Sequence, residues 1–279
     1  MYSAKPIGVF DSGIGGLTVV DEIMQQLSQE RIIYFGDTAR VPYGNKSKKS
    51  ILKYSKQIVN FLMTKNVKAI VVACNTASAF ALDEIASQVT MPIIGVVKPG
   101  ARTAASVTKN NNIGVIGTKG TINSGIYQRY LNKTNPEVNV FGKACPLFVP
   151  LVEEGWINDS ITKDVASRYL EEFKNYNIDT LVLGCTHYPL LHKTIGLVLG
   201  KEVELVNPAY ETAKTLKNVL KSNKIQNNFL YGKHEFYVSD GVDRFNNFAG
   251  GILPNYLKEA KEINIDEYSD SINIEKKTN

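Results

Sequence analysis

Only three cysteines occur in the 279 residues, an odd and low number that argues against a disulfide framework and fits a reducing cytosol. No two stand at C-x2-C spacing, and no Cys/His pairing matches a zinc site. Apolar runs are short, and none approaches the roughly 18 residues that a membrane helix needs. The opening MYSAKPIGVF has no apolar leader core, so no signal peptide is expected. The phosphate-binding pattern G-x-x-x-x-G-K-[ST] is missing. The dinucleotide fingerprint G-x-G-x-x-G fails in GVFDSGIGGLTVV because its third glycine is Thr18. Basic residues exceed acidic ones only by 32 to 27, a formal +5 with no basic block, which gives a nucleic-acid role little support. A soluble, cytoplasmic chain that binds neither nucleic acid nor membrane is the expectation.

What is present is apolar material for a core: 43% of residues are hydrophobic. Short Val/Ile/Leu runs at 7–10, 32–35, 69–73, 93–97, 113–116, 138–141, 181–183 and 203–206 do not alternate with polar residues, the mark of strands buried on both faces of a parallel sheet. Between them lie amphipathic segments, as at 47–65, where Ile51, Tyr54, Ile58, Phe61 and Leu62 recur at helical spacing. The pattern predicts an α/β fold with mostly parallel sheets flanked by helices.

The second half of the chain repeats the first. IGVFDSG from 7 matches IGVIGTK from 113, and RIIYFGD from 31 matches EVNVFGK from 137, both at an offset of 106. NVKAIVVACNTAS from 66 matches NIDTLVLGCTHYP from 177 at 111, and KPGARTAA from 98 matches NPAYETAK from 207 at 109. Four segments in one order imply an internal duplication. Two pseudo-symmetric α/β domains follow, 1–97 plus 208–262 and 98–207, with the active site in the cleft between them. Pro99 and Pro208 would open helices at N1 where the chain crosses over. Residues 263–279 are polar without apolar periodicity and read as a frayed tail.

Two of the three cysteines, Cys74 and Cys185, sit in the matched phrases, each where a strand ends and a helix should begin. Ligands of parallel α/β sheets bind at such ends. Asn75, Thr76 and Thr186 are suited to cap those helices. Backbone N–H groups and the helix dipole there would bring a thiol pKa down from about 8.5 toward neutrality. Two thiols facing one cleft suit a reaction whose substrate and product are mirror images, one base serving each face of a stereocentre. A lone cysteine at the end of a buried strand is ordinarily inert packing. Cys145 takes that reading, because its counterpart at the same offset is Ala39.

Asp11, just after the first strand, stands at the cleft mouth to hold an ammonium or support a thiol; the alternative is an N-cap. The loop GDTARVPYG is either a closing loop over a ligand or an ordinary turn. His187 is placed to bond a thiol or protonate an amine, with Glu153 as its candidate partner, or else is a capping residue. His192 and His234 carry no motif.

Together FDSGIGGLTV, GDTARVPYG, ACNTAS, ACPLFVPLVE and LGCTHYPLL resemble the bacterial glutamate racemases of the cofactor-independent aspartate/glutamate racemase superfamily, over roughly residues 5–250. The resemblance implies interconversion of L- and D-glutamate for peptidoglycan synthesis without pyridoxal phosphate or metal, usually by a homodimer. It implies that Cys74 exchanges the proton of D-glutamate and Cys185 that of L-glutamate. Asp11, Glu153 and His187 match its auxiliary polar residues. Asp11, Ser12, Tyr43, Gly44, Asn75, Thr76, Thr118, Thr121, Thr186 and His187 match substrate-binding positions. Aspartate and hydantoin racemases share the two-cysteine plan, whereas decarboxylase relatives keep one cysteine. Two other classes stand beside these, a dithiol redox protein and a non-catalytic binding module.

Overall fold

The computed structural model describes residues 2–229, 232–253 and 259–272. The chain runs through β1 (Ile7–Asp11), α1 (Leu17–Gln26), β2 (Ile32–Gly36), α2 (Lys48–Thr64), β3 (Ala69–Val72), α3 (Asn75–Phe80), α4 (Leu82–Ala86) and β4 (Ile93–Gly95). After α5 (Val97–Val107) come β5 (Asn112–Gly117), α6 (Lys119–Asn123), α7 (Ile126–Thr134), β6 (Asn139–Ala144), α8 (Phe148–Glu153) and α9 (Ser160–Leu170). The series continues with β7 (Thr180–Gly184), α10 (His192–Leu199), β8 (Glu204–Val206), α11 (Pro208–Ser222), β9 (Glu235–Val238), α12 (Val242–Ile252) and β10 (Ala260–Glu262).

The strands form two parallel sheets, ordered β10-β9-β2-β1-β3-β4 and β6-β5-β7-β8. The order β2-β1-β3-β4 thus recurs as β6-β5-β7-β8, so the repeated phrases correspond to repeated topology. β1, β2, β3 and β7 are buried along their whole length, which is why their sequences are unbroken apolar runs. Each fully buried Val, Leu or Ile there contributes about 1.5–3 kcal/mol. Side chains alternate between two cores: Val9 and Tyr34 pack with α1, α11 and α12, whereas Phe10 and Phe35 pack with α2. The second sheet is clothed likewise, Val115 and Val182 against α5 and α7, Leu181 and Leu183 against α9 and α10. Ser47 caps α2 by accepting the Ser50 N–H at 3.2 Å.

The structure changes several details. β4 ends at Gly95 and Val97 already opens α5, so Pro99 lies inside the first turn; Pro208 does stand at N1 of α11. The edge strand β6 is only half-buried. Ile7 pairs with Ile32 but Ile113 pairs with Val140, so β2 maps onto β6 at 140 − 32 = 108 rather than 106. The Asp37 N–H donates to the Asp11 carbonyl at 3.1 Å, as that of Cys145 does to the Gly117 carbonyl at 2.9 Å. The counterpart of Cys145 is therefore Asp37, not Ala39. Apolar runs slide past one another without spoiling the match, so similarity alone did not reveal the two-residue shift.

The polar tail also needs correction. β10 extends the first sheet, and residues 263–272 are docked on α2. Ile265 is buried and Tyr268 meets Phe61 edge-on at 5.4 Å. Gln57 donates to the Tyr268 carbonyl at 3.1 Å, and Asn60 to the carbonyls of Ser269 and Ser271 at 2.7 and 2.9 Å. Three of these bonds end on backbone carbonyls, which composition does not show. Residues 273–279 lie outside the described residues. Ile265→Ala is expected to lower unfolding free energy by about 2–5 kcal/mol; a thermal midpoint equal to the parent's would mean the segment is not anchored.

Candidate active site

Cys74 follows β3 and Cys185 follows β7, the matched strands of the two sheets. Both border one cavity of about 340 Å3. Ser12, Tyr43, Gly44, Asn75 and Thr76 line it from the first half of the chain. Thr118, Glu153, Thr186 and His187 line it from the second. Of the residues singled out in the sequence, Asp11 and Thr121 do not reach it. Thr121 stands one layer back, its hydroxyl 3.2 Å from that of Thr76 and 3.1 Å from that of Thr118. Asp11 is wholly buried beneath the cavity rather than at its mouth. It accepts the Gly13 N–H at 3.0 Å and faces the Thr186 hydroxyl at 3.5 Å. It does not cap α1, whose N-cap is Gly16.

The halves are held together through these same loops. Thr18 of α1 donates to the Thr186 carbonyl at 2.8 Å. Tyr127 of α7 donates to Asn75 Oδ1 at 2.7 Å. The residue after each cysteine is thus gripped by the other half. Gly15 makes the approach possible: a Cβ there would collide with the His187 ring and the Thr186 hydroxyl. On the opposite wall a Cβ at Gly44 would lie 2.7 Å from Thr118 Cβ. Tyr43 is buried, with its hydroxyl donating to Asp37 Oδ2 at 2.5 Å. The phenol therefore anchors the loop, and the short 3-10 turn Tyr43–Asn45 forms the cavity wall. Gly13, Val41, Pro42, Asn45, Lys119, Pro146, Val149 and Pro150 complete the lining; of these only Asn45 and Lys119 lie outside the five motifs quoted above.

The two thiols stand in different surroundings. Cys74 itself caps α3, its sulfur accepting the Ala77 N–H at 3.4 Å while the thiol reaches Ser12 Oγ at 3.5 Å. Burial, then the charge of Asp11, push this thiol up to about 12 against those hydrogen bonds. That reverses the expected fall: the helix is one of only six residues, and desolvation wins. After Cys185 no α-helix begins at once; a 3-10 turn, Tyr188–Leu191, precedes α10. What accompanies this sulfur is a chain of ionisable groups. Cys185 Sγ lies 3.8 Å from His187 Nδ1, His187 Nε2 2.9 Å from Glu153 Oε1, and Glu153 Oε2 2.9 Å from the Arg244 guanidinium. Burial pulls His187 down, but the bonds and charges of Cys185 and Glu153 outweigh it and hold the imidazole at about 10. Burial would raise Glu153, yet His187 and Arg244 together keep it below the usual carboxylate range. Cys145 stays in the core of the second half.

Two sulfurs on one cavity, one beside an imidazolium and one with its proton held by burial, make a site fit for proton transfer. The model of the Asp/Glu/Hydantoin racemase family matches residues 7–216, and the chain belongs to this family. It is 49% identical over 263 residues to the glutamate racemase of Geobacter metallireducens, covering 92% of this chain and 97% of that one. Among solved structures it resembles the glutamate racemase of Bacillus anthracis (TM-score 0.90, 39% identity, 93% and 97% of the two chains). The Francisella tularensis glutamate racemase, solved with D-glutamate, is similarly near (TM-score 0.89, 40% identity, 95% and 100% covered). The aspartate racemase of Picrophilus torridus, 18% identical with a TM-score of 0.56 over 78% of this chain and 94% of that one, shares the fold.

Glu153→Gln removes the carboxylate beside His187, so the histidine's titration midpoint should fall from about 10 toward the ordinary value of about 6.5. In the unaltered protein this raised value stabilises fully below about 6.5, and the gain is lost as pH climbs through about 10. Histidine NMR titration of both proteins reads the shift; an unmoved midpoint would show that Glu153 does not charge the ring.

Proposed function

We propose that this protein interconverts L- and D-glutamate by proton transfer through Cys74 and Cys185, in the cytoplasm and as a homodimer, supplying D-glutamate for peptidoglycan. The observation that carries the reading is that the two duplicated strand ends bring both cysteines to one cavity. Its substrate is supported by glutamate racemases that match nearly the whole chain at 42–49% identity, and by a structural neighbour solved with D-glutamate.

In the L-to-D direction Cys185, as thiolate, takes the α-proton, and the adjacent His187 imidazolium offsets the charge that this sulfur carries. The carbanion formed is reprotonated on its opposite face by the Cys74 thiol, whose proton burial retains near neutral pH. The step ends with the proton on Cys185 and the charge on Cys74, the arrangement that D-glutamate requires for return. Ser12 and Ala77 then supply the hydrogen bonds available to the Cys74 thiolate.

Cys74→Ser and Cys185→Ser are each expected to lower racemisation at least 100-fold, the low end of what one acid or base contributes. In D2O the unaltered protein should place deuterium at Cα of the product. Inversion without exchange, or normal rates in both serine variants, would remove the two-thiol mechanism. Polarimetry across L-glutamate, L-aspartate and hydantoins reads the substrate, and preferred turnover of aspartate would overturn glutamate.

A further inference from the structure

Tyr127 spans the two cysteine-bearing strand ends. Its hydroxyl bonds Asn75, the neighbour of Cys74. Its ring lies against Gly184, the neighbour of Cys185, where a Cβ would sit 3.1 Å from Tyr127 Cε2. The side chain is buried, and among the described residues its hydroxyl has one hydrogen-bond partner, Asn75 Oδ1 at 2.7 Å. That bond decides which way the Asn75 carboxamide faces. Were the amide reversed, its nitrogen would donate to the phenol oxygen, and the phenol proton would be left buried with no acceptor, a loss on the order of 1–3 kcal/mol. Burial also pushes Tyr127 well above the ordinary tyrosine value, so the hydroxyl keeps its proton and remains the donor.

With Oδ1 on the phenol, Asn75 Nδ2 is turned the other way. It makes no hydrogen bond among the described residues, and it is not among the side-chain atoms sealed from solvent without a partner. It therefore opens onto a space that Asn75 borders. One such space is a hollow of about 10 Å3, which only reaches the lower limit of about 10–15 Å3 that a water needs. Another, far larger at about 340 Å3, is the cavity shared by Cys74 and Cys185. We propose that Tyr127 is a positioning residue for the reaction: it locks the Asn75 carboxamide with its N–H groups toward the cavity, making Asn75 a donor to a carboxylate of the amino acid. This rests on the reading of the site as a glutamate-binding one.

The experiment is a double-mutant cycle on Tyr127→Phe and Asn75→Ala, with kcat and KM measured from both enantiomers and thermal midpoints followed in parallel. Tyr127→Phe should raise KM about three- to tenfold with kcat within about twofold, the range that one hydrogen bond gives. The two enantiomers have equal free energy, so kcat/KM must fall equally in both directions. Asn75→Ala should raise KM as well, and adding Tyr127→Phe to it should change KM no further. Asn75→Asp keeps an oxygen for the phenol but replaces the donor with a repelling carboxylate, so it should raise KM more than tenfold; it keeps the test open should Tyr127→Phe not fold. A lowered thermal midpoint with unchanged KM, multiplicative effects in the cycle, or unchanged KM in Asn75→Asp would each overturn the positioning role alone. An unaltered protein inert toward glutamate would overturn the functional reading, and this inference with it.

Discussion

The site depends on two crossed hydrogen bonds between the halves of the chain, Thr18 to the Thr186 carbonyl and Tyr127 to the Asn75 carboxamide. Parallel sheets expose their functional loops at the carboxyl ends of the strands, so two such sheets share a site only when those ends meet. Here each half reaches across with a helical side chain and takes hold beside the other's cysteine. A single buried hydrogen bond contributes only about 1 kcal/mol, but leaving its partner unmet costs more. The contact is thus strongest when both loops sit correctly at once. Gly15 is part of the same constraint, because the loop bearing Thr186 and His187 fills the place of its absent side chain.

The repeated strand order sets where the two thiols lie, and the residues beside them make their surroundings unlike. At an offset of 111, the position after Asn75 is Thr76 in one half and His187 in the other. Thr76 joins a cluster of hydroxyls with Thr118 and Thr121, whereas His187 begins a relay through Glu153 to Arg244. Asp37 and Cys145 diverge in the same manner. The first gathers Tyr43, Arg40 and Ser239 to hold the cavity loop, and the second is packed into a core.

The central strands were legible because burial on both faces demands unbroken apolar runs. β9 and β10 were not: β9 offers only Phe236, Tyr237 and Val238 as an apolar stretch, and β10 joins the sheet through the backbone of Ala260, Lys261 and Glu262. The cysteine pair was legible because a chemically distinctive residue recurs in a recurring phrase. Glu153 and His187 were nameable, but Arg244 was not, since an exposed arginine 91 positions from Glu153 carries no local mark. Depth was the least legible property. Asp11 reads the same in a sequence whether it rims a cavity or underlies it, and Tyr43 does not announce that its hydroxyl turns away toward Asp37.

The repeated strand order carries a geometric limit. Copying a chain segment yields a second object of the same handedness, so the copies can be superposed by turning one onto the other but never by reflecting it. Enantiomers bear the opposite relation. A duplicated scaffold can offer matching sulfurs to the two faces of a carbon, yet it cannot offer both enantiomers the same remaining surroundings. In the proposed reaction the unlike walls around Cys74 and Cys185 are the form that this mismatch takes, and they would give each enantiomer its own set of partners at a shared carbon.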